Sequence, residues 1–199
     1  MNRSIILSLA LVLVATIACA SEELAIGAKA PGFSLTSAVD GKTVTFAPGD
    51  GKLSVVVFTC NQCPYSKAFE DRINSLARDY GAKGVVFYAV NPNDEAIFAE
   101  ESMAVMKERA TAKKYPMPYL KDADSSIARA YGARVTPHVF VVDGTGVVRY
   151  RGYVDDSAKP EKREHTGLSD ALDALLAKSD VKVVDTNAFG CTIKWKKGA

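Results

Sequence analysis

At 199 residues, 48% of them hydrophobic, the chain is long enough to bury the core of one domain. Its 25 Lys and Arg against 23 Asp and Glu leave a formal net charge of +2 with no large basic face, which excludes nucleic acid as a partner. Four cysteines, two of them close together, are too few and too clustered for a small disulfide-stapled scaffold.

Met1–Asn2–Arg3 is a short positive start, Ser4 to Ala18 is apolar, and Ala18–Cys19–Ala20 offers small residues before Ser21–Glu22–Glu23. This is the layout of a secretory signal peptide. Cleavage is expected after Ala20, leaving residues 21–199 as one exported, periplasmic or extracytoplasmic domain. The apolar run falls short of the ~20 residues of a spanning helix, and no later segment could span a membrane. Lipidation at Cys19 is the lesser alternative, because Thr16–Ile17–Ala18 lacks the leucine usual three positions upstream.

Pro31–Gly32 precedes a short strand at Phe33–Ser34–Leu35, and Asp40–Gly41 forms a hairpin turn before Thr43–Val44–Thr45–Phe46. Leu53 to Phe58 is a continuous apolar run, the pattern of a strand buried on both faces. After Pro64, Phe69, Ile73, Leu76 and Tyr80 recur at helical spacing, with Gly81 as the stop. Val85 to Val90 is a second buried strand, so a right-handed strand–helix–strand crossover is expected. Asp94 to Lys114 reads as a helical insertion ended by Pro116, and Tyr119–Leu120 as a very short strand. Asp124–Ser125 can cap a helix over Ile127 to Tyr131. Val139–Val142, the turn Asp143–Gly144–Thr145–Gly146 and Val147–Tyr150 make an antiparallel hairpin. The charged stretch from Asp155 to His165 reads as a solvated surface loop. Thr166 caps a last helix with Leu168, Ala171, Leu172, Leu175 and Leu176 on one face. The tail carries a candidate strand at Val183–Val184 and a packing residue, Trp195. The expected fold class is an α/β three-layer sandwich around a mixed central sheet.

Cys60–Asn61–Gln62–Cys63 places two thiols where a buried strand hands over to a helix N-terminus, the setting that makes a cysteine reactive. At i and i+3 they are close enough to form a disulfide. Cys60, the more N-terminal, is expected to be exposed and to be the nucleophile, with Cys63 resolving. An inert disulfide or half of a zinc site is the bland alternative. Zinc needs two more ligands, and there is no second CxxC and only His138 and His165. Thr136–Pro137, just before a core strand, is the second candidate element. Without Cys19 the cysteine count is odd, so Cys191 is read as a resolving thiol, an intermolecular disulfide partner or a small buried hydrophobe. Should His138 face the cysteines, Cys60, Cys63 and His138 make a soft-metal site suited to Cu(I). No cofactor is expected.

Five stretches carry a family resemblance: residues 27–35, Phe58–Thr59–Cys60–Asn61–Gln62–Cys63–Pro64–Tyr65, residues 130–140 around Val135–Thr136–Pro137–His138, residues 150–156, and Gly190–Cys191–Thr192–Ile193–Lys194–Trp195. Together they resemble the redoxin branch of the thioredoxin-like superfamily, which includes the alkyl hydroperoxide reductase/thiol-specific antioxidant proteins. The resemblance is to a peroxiredoxin-like subgroup with a CxxC and a C-terminal cysteine. It implies a thioredoxin-like fold with an N-terminal extension and a helical insertion. It also implies a cis proline at Pro137 against the CxxC, with the backbone before it pairing with substrate. The implied activity is thiol–disulfide exchange by Cys60 and Cys63; a thiol peroxidase and a copper-chaperone-like module are the alternatives. The implied partners are a protein or small-molecule disulfide or peroxide substrate and a thiol electron donor. Two departures stand out. Thr59 replaces the Trp that typical thioredoxins carry before the first cysteine. The peroxiredoxin spacing PxxxTxxC is met neither from Cys60, which gives Val57 and Leu53, nor from Cys63, which gives Cys60 and Val56.

Overall fold

The computed structural model describes residues 23–198; the leader-like stretch and Cys19 lie outside them. The centre is β3 (Ser54–Phe58), all of whose residues are buried. Its continuous apolar sequence fits because it has neighbours on both edges and layers on both faces. It pairs in parallel with β4 (Val86–Asn91) and antiparallel with β7 (His138–Val142). α1 (Pro64–Gly81) makes the crossover from β3 to β4. β5 (Tyr119–Lys121) adds in parallel to β4, followed by β1 (Phe33–Ser37) and β2 (Thr43–Phe46) as an antiparallel hairpin. β8 (Val148–Gly152) closes the other edge, so the sheet order is β2-β1-β5-β4-β3-β7-β8. A separate small sheet pairs β6 (Val135–Thr136) with β9 (Cys191–Thr192).

Strand alternation divides the core into two layers. Val55, Val57, Val139 and Val141 meet Phe69 and Ile73 of α1, Met106 of α2 (Met103–Ala112), and Leu168 and Leu172 of α4 (Gly167–Leu176). Val56, Phe58 and Phe140 meet Phe33, Phe46 and Ala128 of α3 (Ser126–Ala130), with Tyr131 beside them. The expected α/β three-layer sandwich is what forms.

Three expectations change. The helix expected from Asp94 begins only at Met103, after a 3-10 turn over Ala99–Glu101. Upstream, Asp94 Oδ1 caps the Ala96 N–H and the Asp94 N–H donates to the Lys194 carbonyl, which ties this stretch to the tail instead of continuing a helix. Val183 and Val184 form no strand and are exposed; the tail pairs further on, at Cys191–Thr192. Asp155 is not solvated: it is 2% exposed and both its carboxylate oxygens accept from Arg72, whose guanidinium lies 4.1 Å from the Phe69 ring centroid. α2 is held against α1 by a bidentate Arg109–Glu70 pair at 2.6 and 2.9 Å, and Tyr115 donates to the same carboxylate. Among the described residues, no helix is long and apolar enough to cross a membrane.

Candidate active site

The chain leaves β3 at Phe58, bends through Asn61–Gln62, and enters α1 at Pro64. Proline at the first helical position makes the residue before it the N-cap, and that residue is Cys63. Its Sγ accepts from the Ser66 N–H at 3.5 Å. The helix terminus is thus presented to Cys63 where it was expected at Cys60, and both cysteines are buried where Cys60 was expected to be exposed.

Both sulfurs converge on one residue. Cys60 Sγ lies 3.1 Å from the Thr136 hydroxyl and 3.8 Å from that of Ser66; Cys63 Sγ lies 3.1 Å from the Thr136 carbonyl. The Thr136–Pro137 peptide is cis. Cys191, on the strand paired with β6, is half-buried and lines the same cleft as Cys60 and Cys63. Sequence elements far apart in the chain are thus assembled into one site: Cys60, Cys63, Thr136, Pro137 and Cys191. The cleft that the three cysteines line, about 310 Å³, is also lined by Gln62, Pro64, Asn93, Phe98, Thr192 and Lys194. A larger cavity, about 700 Å³, lies away from the cysteines between α4 and residues 179–183.

The bend between the cysteines is held by a residue that sequence reasoning missed. Glu101, with no exposed surface, accepts from the backbone N–H groups of Asn61 at 2.8 Å and Gln62 at 3.0 Å. The same carboxylate accepts from the Asn91 and Asn93 side-chain amides. Asn61 is clamped further, its amide donating to the Glu100 carbonyl and its Oδ1 accepting from Tyr119. Lys121 Nζ fixes the Glu101 backbone from below by donating to the carbonyls of Asn93 and Glu101.

This arrangement polarises the pair. The Cys60 thiol donates to Cys63, and Cys191 and the Ser66 N–H add to it, so Cys63 is held well below the ordinary thiol range. Cys60 is pushed the other way, first by that donation to Cys63, then by burial and the Glu101 charge. Cys191 is pushed up to about 11 by burial and by Cys63. The direction within the pair is that Cys63 releases its proton more readily than Cys60. The folded state therefore binds the Cys63 proton more weakly than the unfolded chain, whose thiols titrate near ~8.5. Stability from this group is present above that value and is lost as pH falls through the folded pKa. The reduced protein should show ultraviolet thiolate absorbance already at neutral pH, lost only on acidification and absent in Cys63→Ser. Absorbance that rises only in alkali would overturn the assignment.

His138 does not join the site. It pairs with Phe58 in the sheet, lies 4.6 Å ring to ring from Phe140, and is kept neutral by burial, its pKa lowered to about 3. Among the described residues, the one group of three or more His, Cys or carboxylate donors within 4.8 Å of one another is Asp156, Glu164 and His165, so Cys60, Cys63 and His138 do not converge. Trp195 packs as expected, under the Arg129 guanidinium at 5.0 Å.

A sequence model of the AhpC/TSA family matches residues 26–151, from before β1 to β8, including both CxxC cysteines and Thr136–Pro137. The chain belongs to the AhpC/TSA family. Among curated relatives, it is similar to a thiol:disulfide interchange protein DsbE from Pseudomonas fluorescens biotype C, 29% identical over 66% of this chain and 69% of that one. Among solved structures, it is similar to an uncharacterized conserved protein from Geobacillus kaustophilus, with 37% identity, a TM-score of 0.83, and 88% of this chain and 95% of that one covered. A thioredoxin family thiol:disulfide interchange protein from Chlorobium tepidum TLS shares the fold, with a TM-score of 0.59 at 21% identity over 76% of this chain and 98% of that one. The fold of this AhpC/TSA member is thioredoxin-like, and Cys191 lies beyond the residues the family sequence model matches.

Proposed function

We propose that this thiol–disulfide oxidoreductase works through Cys63 as nucleophile and Cys60 as resolving thiol, with Thr136 and Pro137 as the wall against which both sulfurs are placed. The observation that carries this reading is the place of Cys63 at the helix N-cap, where its Sγ accepts from the Ser66 N–H. The Cys63 thiolate attacks a substrate disulfide, forms a mixed disulfide, and releases one substrate sulfur as a thiolate. Cys60 then attacks Cys63 Sγ, loses its proton to the departing second sulfur, and closes the Cys60–Cys63 disulfide. A thiol donor reduces that disulfide and resets the site. The interchange activity named for the Pseudomonas relative supports disulfides as the substrate class. The leader-like pattern of residues 1–20 supports work outside the cytoplasm.

A peroxidase reading has less behind it. Among the described residues, no arginine lines the cleft around Cys63, and the PxxxTxxC spacing is absent. The experiment compares reduction of insulin disulfides, driven by dithiothreitol, with consumption of hydrogen peroxide by the same preparation. Catalysed insulin reduction is expected, falling to the dithiothreitol background when Cys60 and Cys63 are both replaced by alanine. Background insulin reduction beside fast peroxide turnover would replace this reading with the peroxidase one.

A further inference from the structure

The strand edge beside the two cysteines is already occupied. β6 is joined by the tail strand β9, with Val135 opposite Thr192 and Thr136 opposite Cys191. Thr136 is the residue that touches both CxxC sulfurs, and Cys191, the residue across from it, lines the same cleft as Cys60 and Cys63. Cys63 thereby has two neighbouring thiols, Cys60 and Cys191. The tail is fitted to this place. Gly190 lies so close to the Thr136–Pro137 peptide that a Cβ there would collide with the Thr136 carbonyl. Phe189 packs edge-on against Tyr65 and Phe69 of α1, at 5.8 and 5.7 Å between ring centroids. Beyond the cysteine, the Ile193 N–H donates to the Arg134 carbonyl, and Ile193 is 3% exposed. Anchors on both sides of Cys191 hold its sulfur in register, while the strand covers thiols that are themselves almost closed to solvent.

We propose that Cys191 is a third redox thiol and that β9 is a built-in occupant of the edge on which an extended disulfide-bearing peptide docks. This rests on Cys60 and Cys63 being the redox pair. After substrate reduction has left the Cys60–Cys63 disulfide, the Cys191 sulfur attacks Cys63 Sγ. The Cys63–Cys191 bond forms as the Cys60–Cys63 bond breaks. Cys60 leaves as a thiolate beside the Thr136 hydroxyl and takes up the proton that Cys191 gives up. The oxidation level of the protein is unchanged, so the exchange needs no added oxidant. With Cys63 bonded to Cys191 the tail is locked over the edge. With Cys63 bonded to Cys60, or with all three thiols reduced, only side-chain and strand contacts hold the tail, and an incoming peptide strand can replace it.

The test is disulfide mapping of the full chain after one turnover. Reduced protein is mixed with one equivalent of an insulin disulfide, quenched in acid, alkylated and digested with trypsin. Residues 53–67 then carry Cys60 and Cys63, and residues 183–194 carry Cys191. The expected product is a cross-link between these two peptides, with fragmentation placing the bond at Cys63 and the alkyl label on Cys60. The Cys60→Ser variant should give that cross-link as its main intramolecular disulfide. Gly190→Ala, by lifting the tail and lowering its effective concentration, should reduce the cross-link about tenfold. Insulin turnover with Cys191 alkylated throughout, both in the wild type and in Cys60→Ser, would overturn the inference and leave the Cys60–Cys63 reading standing. Absence of insulin turnover by the wild-type protein would instead overturn that reading, and this inference with it.

Discussion

Glu101→Ala is expected to destabilise the reduced protein by about 3–5 kcal/mol, read as a shift of the denaturant midpoint. The residue has no exposed surface, and its two carboxylate oxygens serve four N–H donors from three parts of the chain: the 61–62 bend, Asn91 at the end of β4, and Asn93 just beyond it. Bonds to a charged acceptor each contribute about 1.5–3 kcal/mol, and donors left unpaired in a buried place cost about as much again, so water entering the hole recovers only part of the total. For a domain of this size the loss corresponds to a fall in Tm of roughly 10–15 °C. Glu101→Gln separates shape from charge. Glutamine keeps the volume and one acceptor oxygen, but turns an NH2 toward donors that need an acceptor. It also removes the negative charge that helps hold Cys60 protonated. The expected signature is a smaller stability loss than for alanine together with a lower Cys60 pKa, seen as a second thiolate step moving down in pH. A Glu101→Ala protein that unfolds at the wild-type denaturant concentration would show that the carboxylate does not hold the bend.

Much of this architecture is legible in the sequence, for physical reasons that also mark where legibility ends. Leu53 to Phe58 reads as a doubly buried strand because, apart from Ser54, nothing polar interrupts it until Thr59, and it is the central strand. The spacing of Phe69, Ile73, Leu76 and Tyr80 gives α1, three of whose four repeats are buried while Leu76 packs from the rim. The Asp143–Gly146 turn gives the β7–β8 hairpin, with Asp143 Oδ1 accepting from the Thr145 and Val147 N–H groups. Glu101 was illegible. It follows Glu100 in a charged stretch, and nothing in local periodicity says that one of two adjacent carboxylates turns inward. The β6–β9 pairing was equally hidden, since two-residue strands carry no alternation and lie far apart in the chain. The identity of the helix cap, by contrast, was written in Pro64. A proline at the first helical position assigns the cap to the preceding residue, and so assigns the helix N-terminus to Cys63.

That cap also decides which single cysteine replacement is the more severe. Cys63→Ser should lower insulin-disulfide turnover by at least about 10³-fold, because it removes the attacking sulfur and a serine hydroxyl is not ionised at neutral pH. The fold should survive, since a serine oxygen can still accept from the Ser66 N–H as an N-cap, the contact by which Cys63 closes the helix. Cys60→Ser acts later in the cycle. The thiolate can still attack, though the weaker shielding of Cys63 should raise its pKa, because the Cys60 thiol is the largest source of its lowering. What is lost is resolution from the Cys60 side. A Cys60→Ser, Cys191→Ser double variant, stripped of both neighbouring thiols, should therefore stall as a mixed disulfide between Cys63 and the substrate, isolable by mass on a non-reducing gel. The opposite pattern, with Cys63→Ser accumulating a mixed disulfide through Cys60 and the double variant accumulating none, would assign the attack to Cys60. The helix terminus would then be stabilising a leaving sulfur and not a nucleophile. The two outcomes differ in which sulfur holds the substrate, so one gel and one mass spectrum decide between them.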